Sequence, residues 1–413
     1  MHGRFARLKV IAGICCLGCA GANAAPALRQ SAVRPGIDVL LDDSMALVRG
    51  RRIGLVTNVA AVDAHGVSDI ARIRAAGIDL VALFAPEHGL TESAAPGERV
   101  ASGVDTGTHT PIYSLYGATT APTPQMLAGI DVMLVDLPDV GARYYTYLAT
   151  TVEVMKAAGA RGIPVVVLDR PNPIGGTVQG NVLDTGYASM VGRLAVPMRH
   201  GLTLGEEARL AKSDLGIAVD LRVVPVAGWR RTMDFDATGL PFRAPSPNLQ
   251  SVESLFDYPG TCLFEGTALS VGRGTDHAFE QIGAPWLDTA VVLRQLQKWK
   301  LPGVAFEGVA FTPHHPGDGK FGEVQVNGIQ FRVIDRDQYD PTRTAVVLLA
   351  VMQRLYPDRL GIGGSFDRLA GGPALREALL RGDDPDAIVA SWRPALAAYR
   401  HRVRRFLLYY PIL

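Results

Sequence analysis

Cysteine is nearly absent from this chain: four occur in 413 residues, at positions 15, 16, 19 and 262. Three of them crowd one N-terminal segment, so a chain trimmed of that segment keeps Cys262 alone. An internal disulfide framework and a cysteine-based metal cluster are both excluded, and a chain of this length builds a core that needs neither. Cys262, between Thr261, Leu263 and Phe264, reads as a small buried hydrophobe. Charge of either sign is not in excess. With 41 basic and 40 acidic residues, net charge +1 and no basic tail, nucleic acid is a poor partner. No GxGxxG follows the first predicted strand and no GxxxxGK[ST] occurs anywhere, which argues against a dinucleotide or a P-loop nucleotide. The chain has no internal repeat and no apolar run long enough for an integral membrane span.

What is present is a 48% hydrophobic composition, cut into short apolar runs by 45 glycines and 27 prolines. The length suggests two domains. At the N-terminus, Arg4, Arg7 and Lys9 precede an apolar stretch from Val10 to Ala22, and Ala22-Asn23-Ala24 gives a small-x-small cleavage pattern. Residues 1–24 therefore read as an export signal, with periplasmic or secreted localisation expected. Leu17-Gly18-Cys19 resembles a lipoprotein signal only loosely, so a lipid anchor is the weaker expectation.

From there the pattern alternates strand and helix. Strands are expected at 51–58, 80–84, 112–116, 131–135, 163–168, 189–196 and 221–226, and helices at 67–76, 123–127, 144–160 and from Thr203. Thr203 with Glu206 matches a capping box. Three buried strands end in polar clusters: Pro86-Glu87-His88-Gly89, Asp136-Leu-Pro-Asp-Val-Gly-Ala-Arg143 and Asp169-Arg-Pro-Asn-Pro173. If those strands are parallel neighbours, right-handed crossovers bring all three clusters to one sheet edge, where open α/β folds place ligands. Glu87 alone admits a plainer reading, a loop carboxylate capping a neighbouring helix.

The fold class expected is α/β, a Rossmann-like, mostly parallel sheet domain over residues 25–225 followed by a smaller α/β domain over 226–413. In the second half, Pro245-Ser-Pro-Asn248 is a rigid connector, and Tyr258 to Gly274 carries Glu265 and Arg273 among glycines. Strands are expected at 306–311 and 324–333, a helix at 344–355, and one terminal helix over 388–410. His314-His315 with Asp318 is a poor metal site, because adjacent residues of a strand face opposite ways. No metal and no cofactor are expected.

Several separated motifs carry a resemblance: Phe84-Ala-Pro-Glu-His-Gly89, Leu115-Tyr-Gly117, Asp139-Val-Gly-Ala-Arg-Tyr-Tyr-Thr-Tyr147, Leu168-Asp-Arg-Pro-Asn-Pro-Ile-Gly-Gly176, His200-Gly-Leu-Thr203, Phe264-Glu-Gly-Thr267 and Gly272-Arg-Gly-Thr275. In this order, over residues 45–413, they resemble the bacterial exo-β-N-acetylmuramidases, exo-lytic glycoside hydrolases that release N-acetylmuramic acid from the non-reducing ends of peptidoglycan fragments. The resemblance implies a sugar pocket between the two domains. It also implies Glu87 as the catalytic glutamate, expected to act as general acid, and Glu265 as a second family glutamate. His88 is expected to support catalysis. Asp139, Arg143, Tyr145, Asp169, Arg170, Asn172, His200 and Arg273 are expected to contact substrate, the arginines as clasps for the muramic lactyl carboxylate.

This chain departs from the family pattern twice. Leu90 is followed by Thr91-Glu92 in place of the family's Arg-Gly, and Pro138 replaces a glutamine whose amide hydrogen bonds proline cannot supply. Both departures are expected beside the pocket. Two other readings stay open on sequence: an exo-hydrolase for a different N-acetylated sugar, and a non-catalytic periplasmic muropeptide-binding protein. The expected partners are peptidoglycan fragments, met by a monomer or homodimer.

Overall fold

A seven-stranded sheet runs through the first half of the chain. Its strands are β1 (Arg52–Thr57), β2 (Asp79–Ala85), β3 (Gly103–Val104), β4 (Pro111–Ser114), β5 (Val132–Asp136), β6 (Val165–Leu168) and, after a separate hairpin, β9 (Leu221–Val224). That hairpin is β7 (Gln179–Val182) with β8 (Pro197–Arg199). The order across the sheet is β3-β4-β2-β1-β5-β6-β9, parallel throughout except for the edge strand β3. The computed structural model describes residues 33–411 apart from 92 and 96. The expected export signal therefore lies outside the described residues, as does Glu92.

Parallel strands buried on both faces need apolar side chains in both directions, and these strands have them. Ile53, Leu55, Leu83, Val132, Leu134 and Val166 turn to one face, under α1 (Gly36–Asp43) and α2 (Asp69–Ala75). Val56, Phe84, Met133, Val135 and Val167 turn to the other, under α3 (Tyr147–Gly159) and α4 (Leu204–Asp214). Phe84 is fully buried, a burial that contributes about 2 kcal/mol. The sheet is thus doubly wound, as expected. Helix α4 starts at the foreseen capping box, with the Thr203 hydroxyl accepting from the Glu206 N–H and Glu206 returning the bond to the Thr203 N–H.

The second half holds α5 (Val252–Thr261), β10 (Gln281–Ala284), α6 (Thr289–Leu296), β11 (Val304–Phe311), β12 (Val326–Val333) and α7 (Pro341–Leu355), then shorter helices to the C-terminus. Its small sheet is antiparallel in the order β10-β12-β11. Helix α5 packs so closely on α7 that a side chain at Gly260 would meet the Pro341 carbonyl at 2.1 Å, which explains a glycine inside a helix. The apolar core runs without a break from the α3 face of the large sheet into this second half.

Three local expectations fail. Residues 123–127 form turns rather than a helix, and 189–196 hold no named strand, the pairing falling to β7 and β8 instead. The single terminal helix is two, Pro385–Ser391 and Arg393–Val403, divided at Trp392 where Pro394 lacks the N–H a continuous helix requires.

Candidate active site

The turn after β2 supplies Glu87 and His88. Pro86 ends the strand, and a tight turn closes through the Gly89 N–H and the Pro86 carbonyl (3.0 Å), with His88 and Gly89 both at positive φ. Glu87 is only 9% exposed. Its Oε2 accepts from the Thr146 hydroxyl at 2.7 Å, and its Oε1 accepts from the Gly97 N–H at 3.0 Å. Thr146 occupies the N-cap of α3, yet its side chain makes no capping bond and serves Glu87 instead. A threonine cap is worth about 1 kcal/mol to a helix, so the forgone cap marks a competing use. His88 donates from Nδ1 to the Ala94 carbonyl at 2.9 Å, leaving Nε2 as an acceptor. Burial lowers the His88 pKa below the ordinary imidazole value, against the pull of Glu87, so the ring is neutral at pH 7. The Tyr116 phenol is pushed up to about 12 by burial and by the Glu87 carboxylate beside it.

The second half of the chain faces them with Glu265 and Arg273. Glu265 sits on a 3-10 turn after α5 and accepts from Arg273 at 2.6–2.7 Å through Nε and one terminal nitrogen. Arg273 lies between Gly272 and Gly274, both at positive φ, and its guanidinium covers the Phe279 ring at 4.9 Å. A side chain at Gly274 would meet the His314 carbonyl at 2.4 Å, so the arginine turn rests directly on the loop that carries Asp318. Lys320, in the same loop, donates to the carbonyls of Glu265, Thr267 and Leu269 at 2.8–3.0 Å. The loop is thereby tied to the backbone that carries Glu265.

Together these residues line a cavity of about 330 Å³, walled by Glu87, His88, Tyr116, Tyr145 and Thr146 on one side and by Tyr258, Glu265, Arg273 and Asp318 on the other. That volume suits a small-molecule site. Of the residues singled out in the sequence, Glu87, His88, Tyr145, Glu265 and Arg273 come together here.

The remaining six do not line it. Arg143 is buried and spends its guanidinium on the carbonyls of Asn181 and Leu369 (2.7 and 2.9 Å), joining the two halves of the chain. Asp169 is fully buried and accepts from Thr203, the Gly205 N–H and Tyr409, anchoring the start of α4 and the C-terminal segment. Arg170 is clasped by Asp136 at 2.5 and 3.0 Å and donates to the Val62 carbonyl. Asn172 bridges the Leu202 carbonyl and the Ile174 N–H. Asp139 and His200 lie in a buried cluster with Glu207, the His200 Nε2 standing 3.6 and 3.7 Å from the two carboxylates. The strand ends do share one sheet edge, but the clusters after β5 and β6 satisfy each other there.

Asp139, His200 and Glu207 form the set with metal-ligand geometry among the described residues. The Leu202 N–H donates to His200 Nδ1, so Nε2 of the neutral ring carries the proton and has no lone pair for an ion. Burial and Asp139 together push the Glu207 carboxyl well above its usual range. The donor set fits a buried polar cluster rather than a cation site. His314 lies in a loop beyond β11, not in a strand, and its Nδ1 meets Glu323 at 2.8 Å.

Thr146, Tyr116 and Asp318 were not foreseen as site residues. The first two stand inside the Tyr-Tyr-Thr-Tyr and Leu-Tyr-Gly strings, so the motif was visible while the hydrogen-bond role was not. Of the two departures from the family pattern, Thr91 lines a recess that shares Ser246 with the Glu87 cavity, and Pro138 lines a cleft beyond that recess.

Residues 53–253 match the family model described as "Exo-beta-N-acetylmuramidase NamZ, N-terminal", and residues 256–409 match its C-terminal counterpart. The peptidoglycan beta-N-acetylmuramidase NamZ of Bacillus subtilis (strain 168) is 41% identical over 385 residues, covering 92% of each chain. Two solved DUF1343 family proteins of Bacteroides fragilis NCTC 9343 share the architecture. One superposes with a TM-score of 0.84 at 32% identity, covering 91% of this chain and 99% of that one. The other gives 0.75 at 26% identity, covering 92% and 99%.

Proposed function

This chain belongs to the exo-β-N-acetylmuramidase family, and from that premise we propose that it is a glycoside hydrolase releasing N-acetylmuramic acid from the non-reducing ends of peptidoglycan fragments. The observation that carries the reading is the placement of Glu87. A nearly buried carboxylate meets a hydroxyl partner on one oxygen and a backbone donor on the other, at the wall of a sugar-sized cavity that a second carboxylate also lines.

Glycoside hydrolysis needs a proton for the leaving oxygen and a group that helps the attacking one. Glu87 is assigned the proton transfer. The Gly97 N–H can only donate, so it engages Oε1 in either protonation state, and the proton of a neutral Glu87 belongs on Oε2. The Thr146 hydroxyl donates to Oε2 when Glu87 is ionised and accepts from it when Glu87 is neutral. Such a partner suits a residue that gives and takes a proton within one turnover. Glu265, oriented by Arg273, is the second carboxylate. Arg273 keeps one terminal nitrogen outside that ion pair, and this nitrogen is assigned the lactyl carboxylate of the sugar.

No helix among the described residues is long and apolar enough to cross a membrane. The N-terminal signal pattern supports action on fragments outside the cytoplasm. The direct test is product analysis. The purified chain incubated with a muramyl disaccharide bearing N-acetylmuramic acid at its non-reducing end is expected to release that sugar free. Saturable binding with no sugar released on long incubation would instead favour a muropeptide-binding protein.

A further inference from the structure

The Glu87 cavity is not closed on every side. Ser246, which lines it, also lines a groove of about 640 Å³ that carries Thr91, Pro247 and Arg243. Val62 and Arg243 in turn line both this groove and an apolar cleft beyond it, where Pro138 and Phe242 stand. The groove therefore adjoins the Glu87 cavity at Ser246 and the apolar cleft at Val62 and Arg243. The cleft sits above the C-terminal ends of β1, β5 and β6. It lies beside the point where the strand order reverses, with β2 on one flank of β1 and β5 on the other. Open α/β sheets take ligands at that point.

Its charges are accounted for, with one exception. Asp63 is paired with Arg72 at 2.8 Å, Arg170 with Asp136, and Asp139 accepts from the Gly141 N–H. Arg243 is exposed, lies against the turn at Gly66, and makes no hydrogen bond or ion pair among the described residues. An unpaired guanidinium in recesses that Pro138, Phe242 and Pro247 also line offers what a carboxylate-bearing saccharide needs, apolar faces for the rings and a cation for the acid.

We infer that this groove holds the leaving-side saccharide of the fragment, with Arg243 pairing to the lactyl carboxylate of its next muramic residue. The inference rests on the muramidase reading. In an exo-acting enzyme the cleaved sugar ends the chain, so any part of the substrate outside the pocket belongs to the leaving group. Thr91 and Pro138, the two departures from the family pattern, both fall in this groove and cleft. They therefore bear on which fragments are preferred rather than on the bond broken.

The test compares two substrates, a chromogenic β-N-acetylmuraminide that reaches only the cavity and a peptide-free tetrasaccharide of alternating N-acetylmuramic acid and N-acetylglucosamine. For R243M, the ratio of kcat/KM on the tetrasaccharide to kcat/KM on the chromogenic sugar is expected to fall about tenfold, chiefly through KM, with R243K restoring most of it. An unchanged ratio overturns the inference, as does a loss seen only when stem peptides are attached, which would make the peptide the source of the acid. Failure of the wild-type chain to hydrolyse either substrate would overturn the muramidase reading itself, an outcome distinguishable from the others.

Discussion

The Thr146 hydroxyl stands 2.7 Å from Oε2 of Glu87, and the two residues reach each other from different connections. Glu87 comes from the turn after β2, and Thr146 from the N-cap of α3, where it leaves its own helix uncapped. The stability a capping threonine would add is given over to orienting a carboxylate.

Replacing that hydroxyl separates its two possible roles. T146V keeps the shape and is expected to lower kcat/KM on a chromogenic muraminide by about tenfold or more, whereas T146S retains most of it. Since the hydroxyl does not cap α3, the melting temperature should move little. A large fall in melting temperature with activity preserved would mean that Thr146 serves the fold instead.

Arg143 makes the opposite case. Its guanidinium is bonded to carbonyls from both halves of the chain, and burial lowers its pKa without any carboxylate partner. R143M is expected to destabilise the protein by about 2–4 kcal/mol. Its kcat/KM per folded molecule should stay within about threefold of wild type. Denaturant unfolding alongside steady-state kinetics checks both.

Much of this was legible in the sequence, for identifiable reasons. The all-apolar run from Leu80 to Phe84 has the length of a buried parallel strand and Pro86 ends it, so the position of Glu87 followed. The capping box at Thr203 is local chemistry and was readable as such. Helix α5 was not, because Pro259 and Gly260 inside it are poor helix formers on local propensity. The reason for Gly260, its contact with the Pro341 carbonyl, lies about eighty residues away in the sequence. The same blindness to pairing put Asp139, Asp169 and Arg170 in the pocket. A polar residue at a strand end signals that a partner is needed, and these three find theirs in the Gly141 N–H, Thr203 and Asp136.

Asp169 gives the protein a pH signature. Burial, opposed by its hydrogen bonds, raises its pKa from 3.8 to about 6. Between those values the unfolded chain has lost the proton that the folded chain still holds, so folding stability falls as pH rises through this window. The slope vanishes above about pH 6, where both states are ionised. The contribution is of order 3 kcal/mol for the two-unit difference. Unfolding free energies measured at pH 4 and pH 6.5 should show this component in the wild type, and D169N should lack it. An identical pH dependence in the two proteins would assign the effect elsewhere.

The central claim is that Glu87 transfers the proton. E87Q keeps the size of the side chain and an oxygen for the Gly97 N–H or Thr146, while removing the group that titrates. Measured on a chromogenic β-N-acetylmuraminide, with melting temperature as the control for folding, E87Q is expected to lower kcat by about 10²–10⁴ while the protein remains folded. A folded E87Q enzyme turning over at close to the wild-type rate would contradict the assignment.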